Sequence, residues 1–163
     1  MYEWVGTQDN EQYLCVPEAI KWREQVCGGE EAIYEYNNTL LRKATKIVVS
    51  ELGTETLENE EGTLMDCTMS FVRLPLNLEK DGGTVKAADF GTILTFMGQT
   101  MASEYQSYVA TSVFQGGIWC RLSAQVYLDE DDFVFAAKML KEVCERVNKG
   151  EYLTMVLKPV SRA

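Results

Sequence analysis

Histidine is the residue type that this chain lacks altogether: none of its 163 residues is a histidine. The absence excludes Ser-His and Cys-His nucleophile systems, histidine general bases and the usual zinc sites, because each of them needs an imidazole. Any chemistry must therefore depend on a carboxylate, a lysine, a tyrosine, a thiol or a cofactor.

Cysteine is scarce and follows no motif. The chain has an odd number of cysteines and no C-x-x-C pair; the five are Cys15, Cys27, Cys67, Cys120 and Cys144. This spacing gives little support to a disulfide framework or a metal cluster. We expect buried thiols in a reducing compartment, which predicts a cytoplasmic protein without a metal site.

Long apolar runs and an excess of positive charge are missing as well. No run of about eighteen apolar residues occurs, and no basic region followed by an apolar run, so neither a transmembrane helix nor a secretory signal is predicted. The formal net charge is −10, which argues against nucleic acids and anionic membranes as partners because both select basic patches. The residues that are present are 46% hydrophobic, enough to build one core.

Hydrophobic periodicity predicts a series of helices and strands. Apolar residues recur at three- and four-residue steps in four predicted helices, at 17–26, 30–52, 86–103 and 129–148. They alternate with polar residues in three predicted strands, at 64–74, 105–114 and 116–127. Gln115-Gly116-Gly117 between the last two strands predicts a hairpin, and 79–84 is expected to be an exposed loop that tolerates length changes. This order predicts an α+β fold with a small, mostly antiparallel, three-stranded sheet packed against helices, one of them long.

The last predicted strand carries one cation among apolar neighbours. Arg121 follows Cys120 and precedes Leu122, so it lies on the opposite face from these two residues. That face also carries Trp119 and Tyr127, and we expect it to be exposed towards a ligand or another domain. A guanidinium at this position can bind a carboxylate or phosphate through two parallel hydrogen bonds. The alternative interpretation is a surface arginine on an edge strand.

Four consecutive acids, Asp129, Glu130, Asp131 and Asp132, stand at the start of the last predicted helix. They could form a carboxylate metal site, or they could cap the helix and favour its N-terminus. Consecutive helical residues point in different directions, which favours capping.

Three segments together resemble a known family. They are residues 4–9 (WVGTQD), residues 28–33 (GGEEAI) at the start of the long helix, and residues 119–127 (WCRLSAQVY). From residue 4 to residue 147 the chain is similar to the C-terminal part of class V pyridoxal-phosphate-dependent aminotransferase-like enzymes. The resemblance is to the branch with isopenicillin N epimerase-like proteins and the fungal ergothioneine-pathway sulfoxide lyases.

The resemblance implies roles for three residues. Arg121 would bind the α-carboxylate of an amino-acid substrate, whereas Gly6 and Thr7 would contact the cofactor phosphate of the neighbouring subunit in a homodimer. It also implies pyridoxal 5'-phosphate as the cofactor of the complete enzyme, and carbon–sulfur cleavage, epimerisation or transamination as its reaction. The chain would be the C-terminal small domain of a fold-type I enzyme. Residues 1–28 would belong to the large cofactor domain, residues 29–150 would form the substrate domain, and residues 151–163 would be a tail.

The chain also departs from this family. The family's Schiff-base lysine lies upstream of the Gly-Thr turn, and no lysine of this chain stands in that motif, so no catalytic lysine is assigned. Because the cofactor supplies the electron sink for the chemistry, we expect the chain to be inactive alone. It would be a domain of a larger enzyme whose N-terminal large domain is missing here, an incomplete gene product or a remnant. The alternative is a non-catalytic protein-interaction domain that retains the fold.

Overall fold

The structure is a computed structural model that describes residues 11–154. The helices in this range are α1 (Glu11–Leu14), α2 (Val16–Cys27), α3 (Glu30–Leu52), α4 (Phe90–Glu104) and α5 (Glu130–Asn148). The strands are β1 (Met69–Arg73), β2 (Ala110–Phe114) and β3 (Gly117–Ser123). They form one antiparallel sheet in the order β1-β3-β2. The predicted α+β architecture, with a three-stranded antiparallel sheet beside helices, is confirmed.

The core lies between the sheet and two long helices. Helix α3 packs against α5 and against both β1 and β3. In the sheet, Val72 pairs with Cys120 and Ser70 with Leu122, so the inward-facing side chains form continuous rows. The predicted apolar stripe of α5 is buried in full: Phe133, Ala136, Ala137, Leu140, Val143, Cys144 and Val147. The 3.6-residue period therefore identified correctly which face of this helix packs on the core.

Helix ends coincide with the residues that favour them. Gly28 ends α2 at φ 81° and Gly53 ends α3 at φ 64°, a left-handed conformation that glycine adopts without strain. At the start of α5, the Asp129 carboxylate accepts the backbone N–H groups of Asp131 and Asp132. The Asp132 carboxylate in turn accepts the N–H of Asp129 at 2.9 Å, which completes a capping box.

Strand β1 is shorter than the predicted strand 64–74, and that prediction is wrong for residues 64–68. Three polar side chains on one face of α3 bind this segment instead. The Tyr34 hydroxyl and the Asn38 amide donate hydrogen bonds to backbone carbonyls of residues 65–67, and Arg42 pairs with Asp66. Because these contacts hold the segment in turns, the strand ladder begins only at Met69.

The predicted hairpin is confirmed, with β2 starting at Ala110 rather than at residue 105. Phe114 pairs with Gly117 across a two-residue connection. Both connecting residues have a left-handed backbone, Gln115 at φ 47° and Gly116 at φ 67°. Two such residues match the twist of antiparallel strands.

The segment predicted as a loop tolerant of length change is an ordered turn. The backbone N–H of Gly83 donates to the carbonyl of Leu78, and that of Val85 donates to the carbonyl of Asn77. A Cβ at Gly83 would lie 2.1 Å from the Asn77 carbonyl oxygen. A side chain at Gly83 would therefore not fit, whereas the tolerance of this segment to length changes stays a prediction.

The prediction of buried thiols is correct for two cysteines only. Cys120 and Cys144 are buried in the core, whereas Cys15 and Cys67 are exposed and Cys27 is half-buried. Cys67 lies in the turn segment before β1, and Cys15 precedes a helix that buries none of its residues.

Helices α1 and α2 have no buried residue. Their exposed large apolar side chains are Tyr13, Leu14, Val16, Ile20, Trp22 and Val26. The Arg23–Glu30 ion pair joins α2 to the first turn of α3. Within residues 11–154, no helix combines the length and the apolar composition needed to cross a bilayer.

Candidate carboxylate-binding site

Arg121 lies in the middle of the central strand. It pairs with Phe71 of β1 on one side and with Ala110 of β2 on the other, so the alternative of an edge strand is excluded. Its neighbours Cys120 and Leu122 are buried, whereas Arg121 itself is exposed. Because hydrogen bonds to both neighbouring strands hold its backbone, the position of its Cβ atom is well fixed.

Arg121 is the one arginine of residues 11–154 whose side chain has no ion pair and no hydrogen bond among the described residues. The other four are each paired with a carboxylate: Arg23 with Glu30, Arg42 with Asp66, Arg73 with Glu55 and Arg146 with Glu104. A guanidinium carries five N–H donors in a planar fork. The chain has an excess of acidic residues, with a net charge of −10, yet none of the described carboxylates pairs with Arg121. Its donors are therefore free to bind an external anion.

Arg121 also lines a cavity of about 350 Å³, which we call the Arg121 cavity. The cavity lies between the residues that lead into β2, the end of β3 and the first turns of α5. Among the described residues that line it, Arg121 is the only cation and Asp132 the only acid. Its volume is near the lower end of the range of about 300–1,000 Å³ that is usual for small-molecule sites.

The predicted exposed face of Trp119, Arg121 and Tyr127 is wrong for Trp119. That side chain is only 5% exposed. Its indole N–H donates to the Phe114 carbonyl at 2.9 Å, and its ring meets the Phe114 ring edge-on at 6.3 Å. Tyr127 is 79% exposed but follows the end of β3. Only the arginine of the predicted trio is therefore both exposed and part of the strand.

The acidic run at the start of α5 caps this helix. Asp129 and Asp132 form the capping box, and Glu130 pairs with Lys43 at 2.7 Å. Among residues 11–154, no group of three or more Cys, Asp or Glu side chains is arranged to hold a metal ion.

The lysines of residues 11–154 do not fit a Schiff-base role. All of them are exposed. Hydrogen bonds from Lys43 to Glu130 and from Lys141 to Glu51 raise the pKa of both lysines, whereas a nucleophilic lysine needs a lowered pKa. The described residues therefore do not fit a site that holds pyridoxal phosphate by themselves. Gly6 and Thr7 lie outside the described residues, and their cofactor role stays a prediction.

Sequence reasoning missed two aromatic residues of the Arg121 cavity, Tyr108 and Phe135. Phe135 interrupts the polar side of α5, away from the buried stripe, and this position was a signal that could have identified it. Tyr108 precedes β2 in a segment without regular structure, and no local pattern marks it.

No protein-family model matches this chain, but comparison with known proteins finds relatives of it. It is 34% identical over 166 residues to the L-cysteine desulfhydrase-like protein lolT2 of Epichloe uncinata, an alignment that covers 93% of this chain and 36% of that protein. It is 32% identical over 166 residues to the L-cysteine desulfhydrase-like protein lolT1 of the same organism, an alignment that covers 93% of this chain and 37% of that protein. The chain is similar to desulfhydrase-like proteins.

A lyase is among its relatives too. Hercynylcysteine sulfoxide lyase of Schizosaccharomyces pombe is 31% identical over 137 residues, which cover 84% of this chain and 30% of the lyase. The chain thus spans about a third of the length of the curated relatives it matches.

Proposed function

We propose that this chain is the part of a pyridoxal-phosphate-dependent carbon–sulfur lyase that binds the carboxylate of the amino-acid substrate. The desulfhydrase-like and sulfoxide lyase relatives support a pyridoxal-phosphate-dependent, aminotransferase-like family. The single observation that carries the proposal is the free guanidinium of Arg121 on the central strand.

Arg121 suits a carboxylate for two reasons. Its fork of N–H donors matches the two oxygens of a carboxylate, and charge-assisted hydrogen bonds of this kind are about twice as strong as neutral ones. Its backbone is fixed by both neighbouring strands, so little freedom beyond that of the side chain is lost on binding. A substrate bound in this way has its α-carbon held at a defined distance from the sheet.

The remaining parts of the active site belong to the proposal as well. Pyridoxal phosphate supplies an electron sink at the α-carbon when it is bound. The lysine and the cofactor pocket would come from segments of the complete enzyme outside this chain, so the chain alone would be inactive. Gly6 and Thr7 would reach the cofactor phosphate of the neighbouring subunit of a class V, fold-type I homodimer in the cytoplasm. The names of the relatives favour carbon–sulfur cleavage over epimerisation and transamination.

The exposed helix α2 supports a large domain as the missing partner. Trp22 and Val26 lie one helical turn apart, and their side chains are 52% and 64% exposed. Exposed apolar patches of this kind often mark surfaces that contact another domain or protein. In this proposal residues 1–28 belong to the large cofactor domain, residues 29–150 form the substrate domain and residues 151–163 are a tail.

A lyase assay of the complete protein that contains this chain tests the proposal. With pyridoxal phosphate and an S-substituted L-cysteine, we expect cofactor-dependent cleavage of the carbon–sulfur bond. Arg121→Gln should raise the KM, because loss of one partner of a hydrogen-bonded charge pair costs about 2–5 kcal/mol. Lys86→Gln removes an exposed positive charge elsewhere and is the matched control. An unchanged KM in Arg121→Gln would contradict the assignment of this residue.

The second candidate function is a non-catalytic protein-interaction domain, and the observation in its favour is again the unburied α2. In this function the apolar residues of α2 bind a partner protein and Arg121 has no ligand. A complete protein with neither cofactor-dependent turnover nor amino-acid binding would favour this function over the lyase.

A further inference from the structure

Two exposed aromatic side chains lie in the wall of the Arg121 cavity. Tyr108 is 66% exposed and Phe135 is 48% exposed. Neither ring stacks on another aromatic ring of residues 11–154, and neither belongs to the buried core. Large rings left in water forgo the favourable free energy of burial. The Tyr108 ring lies against Gly98 of α4, with its Cε2 atom 3.6 Å from where a Cβ would stand. Both side chains nevertheless remain exposed in the cavity wall, where they can contact a ligand.

The backbone places Tyr108 beside Arg121 at some cost. After α4 ends, Gln106 adopts φ 51°, a left-handed conformation that is uncommon for a residue other than glycine. The N–H of Ser107 then bonds back to the carbonyl of Met101 at 3.2 Å. This reversal brings the chain into β2 at Ala110, the residue that pairs with Arg121. Tyr108 therefore stands two residues from the partner of the arginine.

Phe135 is placed by the first turns of α5. The capping box of Asp129 and Asp132 fixes where this helix begins. Phe133 and Ala136 are buried on the core side of the helix, which fixes its rotation about its own axis. Phe135, between them in sequence, is thereby held off the core and in the wall of the cavity.

We infer that Tyr108 and Phe135 form an aromatic clamp that selects the side chain of the substrate whose carboxylate Arg121 binds. This inference rests on the proposed function and adds the residues that contact the substrate's side chain. Aromatic walls favour an apolar side chain that contains sulfur, because a thioether makes favourable contacts with ring edges. Asp132, the only acid in the lining, disfavours a substrate with a second carboxylate.

Titration of the 163-residue chain, followed by NMR, tests the clamp with three ligands: S-methyl-L-cysteine, L-alanine and L-aspartate. They share the α-amino and α-carboxylate groups and differ in the side chain. We expect S-methyl-L-cysteine to bind the wild type most tightly and L-aspartate most weakly. Tyr108→Ala and Phe135→Ala should each lower the affinity ratio of S-methyl-L-cysteine to L-alanine by roughly two- to tenfold. Tyr108→Phe, which keeps the ring, should retain the ratio.

Tyr13→Ala is the matched control, since Tyr13 is also an exposed tyrosine, on α1 and outside the cavity lining. The affinity ratio of Tyr13→Ala should equal that of the wild type. Arg121→Gln separates the clamp from the proposed function. If Arg121→Gln loses all three ligands while Tyr108→Ala and Phe135→Ala keep the wild-type ratio, the clamp is wrong and the carboxylate site stands. If the wild type binds none of the ligands, or Arg121→Gln binds them unchanged, both are overturned.

Discussion

The arginines of residues 11–154 divide into two kinds according to what their side chains contact. Arg146 donates to Glu104 at 2.8 and 3.1 Å and to Glu151 at 2.8 Å, and it lies 5.5 Å from the centre of the Phe96 ring. These hydrogen bonds raise the pKa of Arg146, and its contacts join α4, α5 and the turn after α5. Arg121 has no such contact among the described residues. Arg146 therefore holds the fold together, whereas Arg121 is available to a ligand.

The cysteines should differ in reactivity as they differ in burial. Burial raises the pKa of the Cys120 thiol to about 12 and that of Cys144 further, and the reactive species is the thiolate. In native protein at neutral pH, we expect a thiol reagent to modify Cys15 and Cys67 quickly and the two core cysteines only after unfolding. Mass spectrometry of the labelled peptides identifies the sites, and urea-unfolded protein is the control. Equal labelling of all five in the native state would contradict the buried positions.

The same pKa shifts predict how stability depends on pH. The two core thiols have folded-state pKa values above the usual value of 9.0, so the unfolded chain releases these protons at a lower pH than the folded chain does. Stability from these thiols is therefore fully present at pH values well below 9.0 and is lost progressively as the pH rises towards the folded-state pKa values. The urea concentration at the midpoint of unfolding should decrease in the wild type when the pH is raised from 8 to 10. In the double variant Cys120→Ala/Cys144→Ala, this midpoint should decrease less over the same pH range.

At the scale of elements, the start of α5 depends on one carboxylate. Asp129 accepts two backbone N–H groups of the first turn, and loss of such a cap costs about 1 kcal/mol. Asp129→Ala should therefore lower the free energy of unfolding by about that amount. Asp131→Ala is the matched control, because its backbone N–H takes part in the cap whereas its side chain does not. Equal losses in the two variants, measured by urea denaturation, would show that the cap is unimportant.

Two glycines should respond to alanine in opposite directions. At Gly83 the new methyl group would lie 2.1 Å from the Asn77 carbonyl oxygen, so the turn at 77–85 must open and the protein should lose several kcal/mol. At Gly91, in α4, a Cβ meets no atom within 4 Å, and alanine should stabilise the helix by up to about 1 kcal/mol. Thermal unfolding of both variants measures the two effects. A Gly83→Ala protein as stable as the wild type would contradict the close contact.

What the sequence allowed us to predict depended on how local its cause was. The apolar stripe of α5 and the glycine stops of α2 and α3 arise within a few residues, and these predictions were correct. The turns at 64–68 are held by Tyr34, Asn38 and Arg42, more than twenty residues away, so alternation alone predicted a strand. Trp119 is buried, and the Phe114 carbonyl accepts its N–H across the hairpin, a contact that side-chain alternation does not reveal. The strand position of Arg121 was predictable, whereas its cavity is assembled from three separate segments.

At the scale of the whole molecule, the described residues offer a candidate carboxylate site but no lysine suited to hold pyridoxal phosphate. The lysines of these residues are all exposed, which does not fit a Schiff-base site. Arg121, on the central strand of the sheet, has no hydrogen-bond or ion-pair partner for its side chain among them. Helix α2 leaves large apolar side chains uncovered. The chain matches only about a third of each relative. The free guanidinium and the uncovered face of α2 support the proposals that Arg121 binds a carboxylate and that α2 contacts another domain.

The most direct test of this account compares L-alanine with L-alaninamide as ligands of the 163-residue chain, by NMR titration. The two differ at the carboxylate alone. If Arg121 binds that group, L-alanine should bind about tenfold or more tightly than the amide, since a hydrogen bond to a charged group contributes about 1.5–3 kcal/mol. Arg121→Gln should abolish the difference and Lys86→Gln should retain it. Equal affinity for the two ligands in the wild type, or a difference that persists in Arg121→Gln, would contradict the central claim.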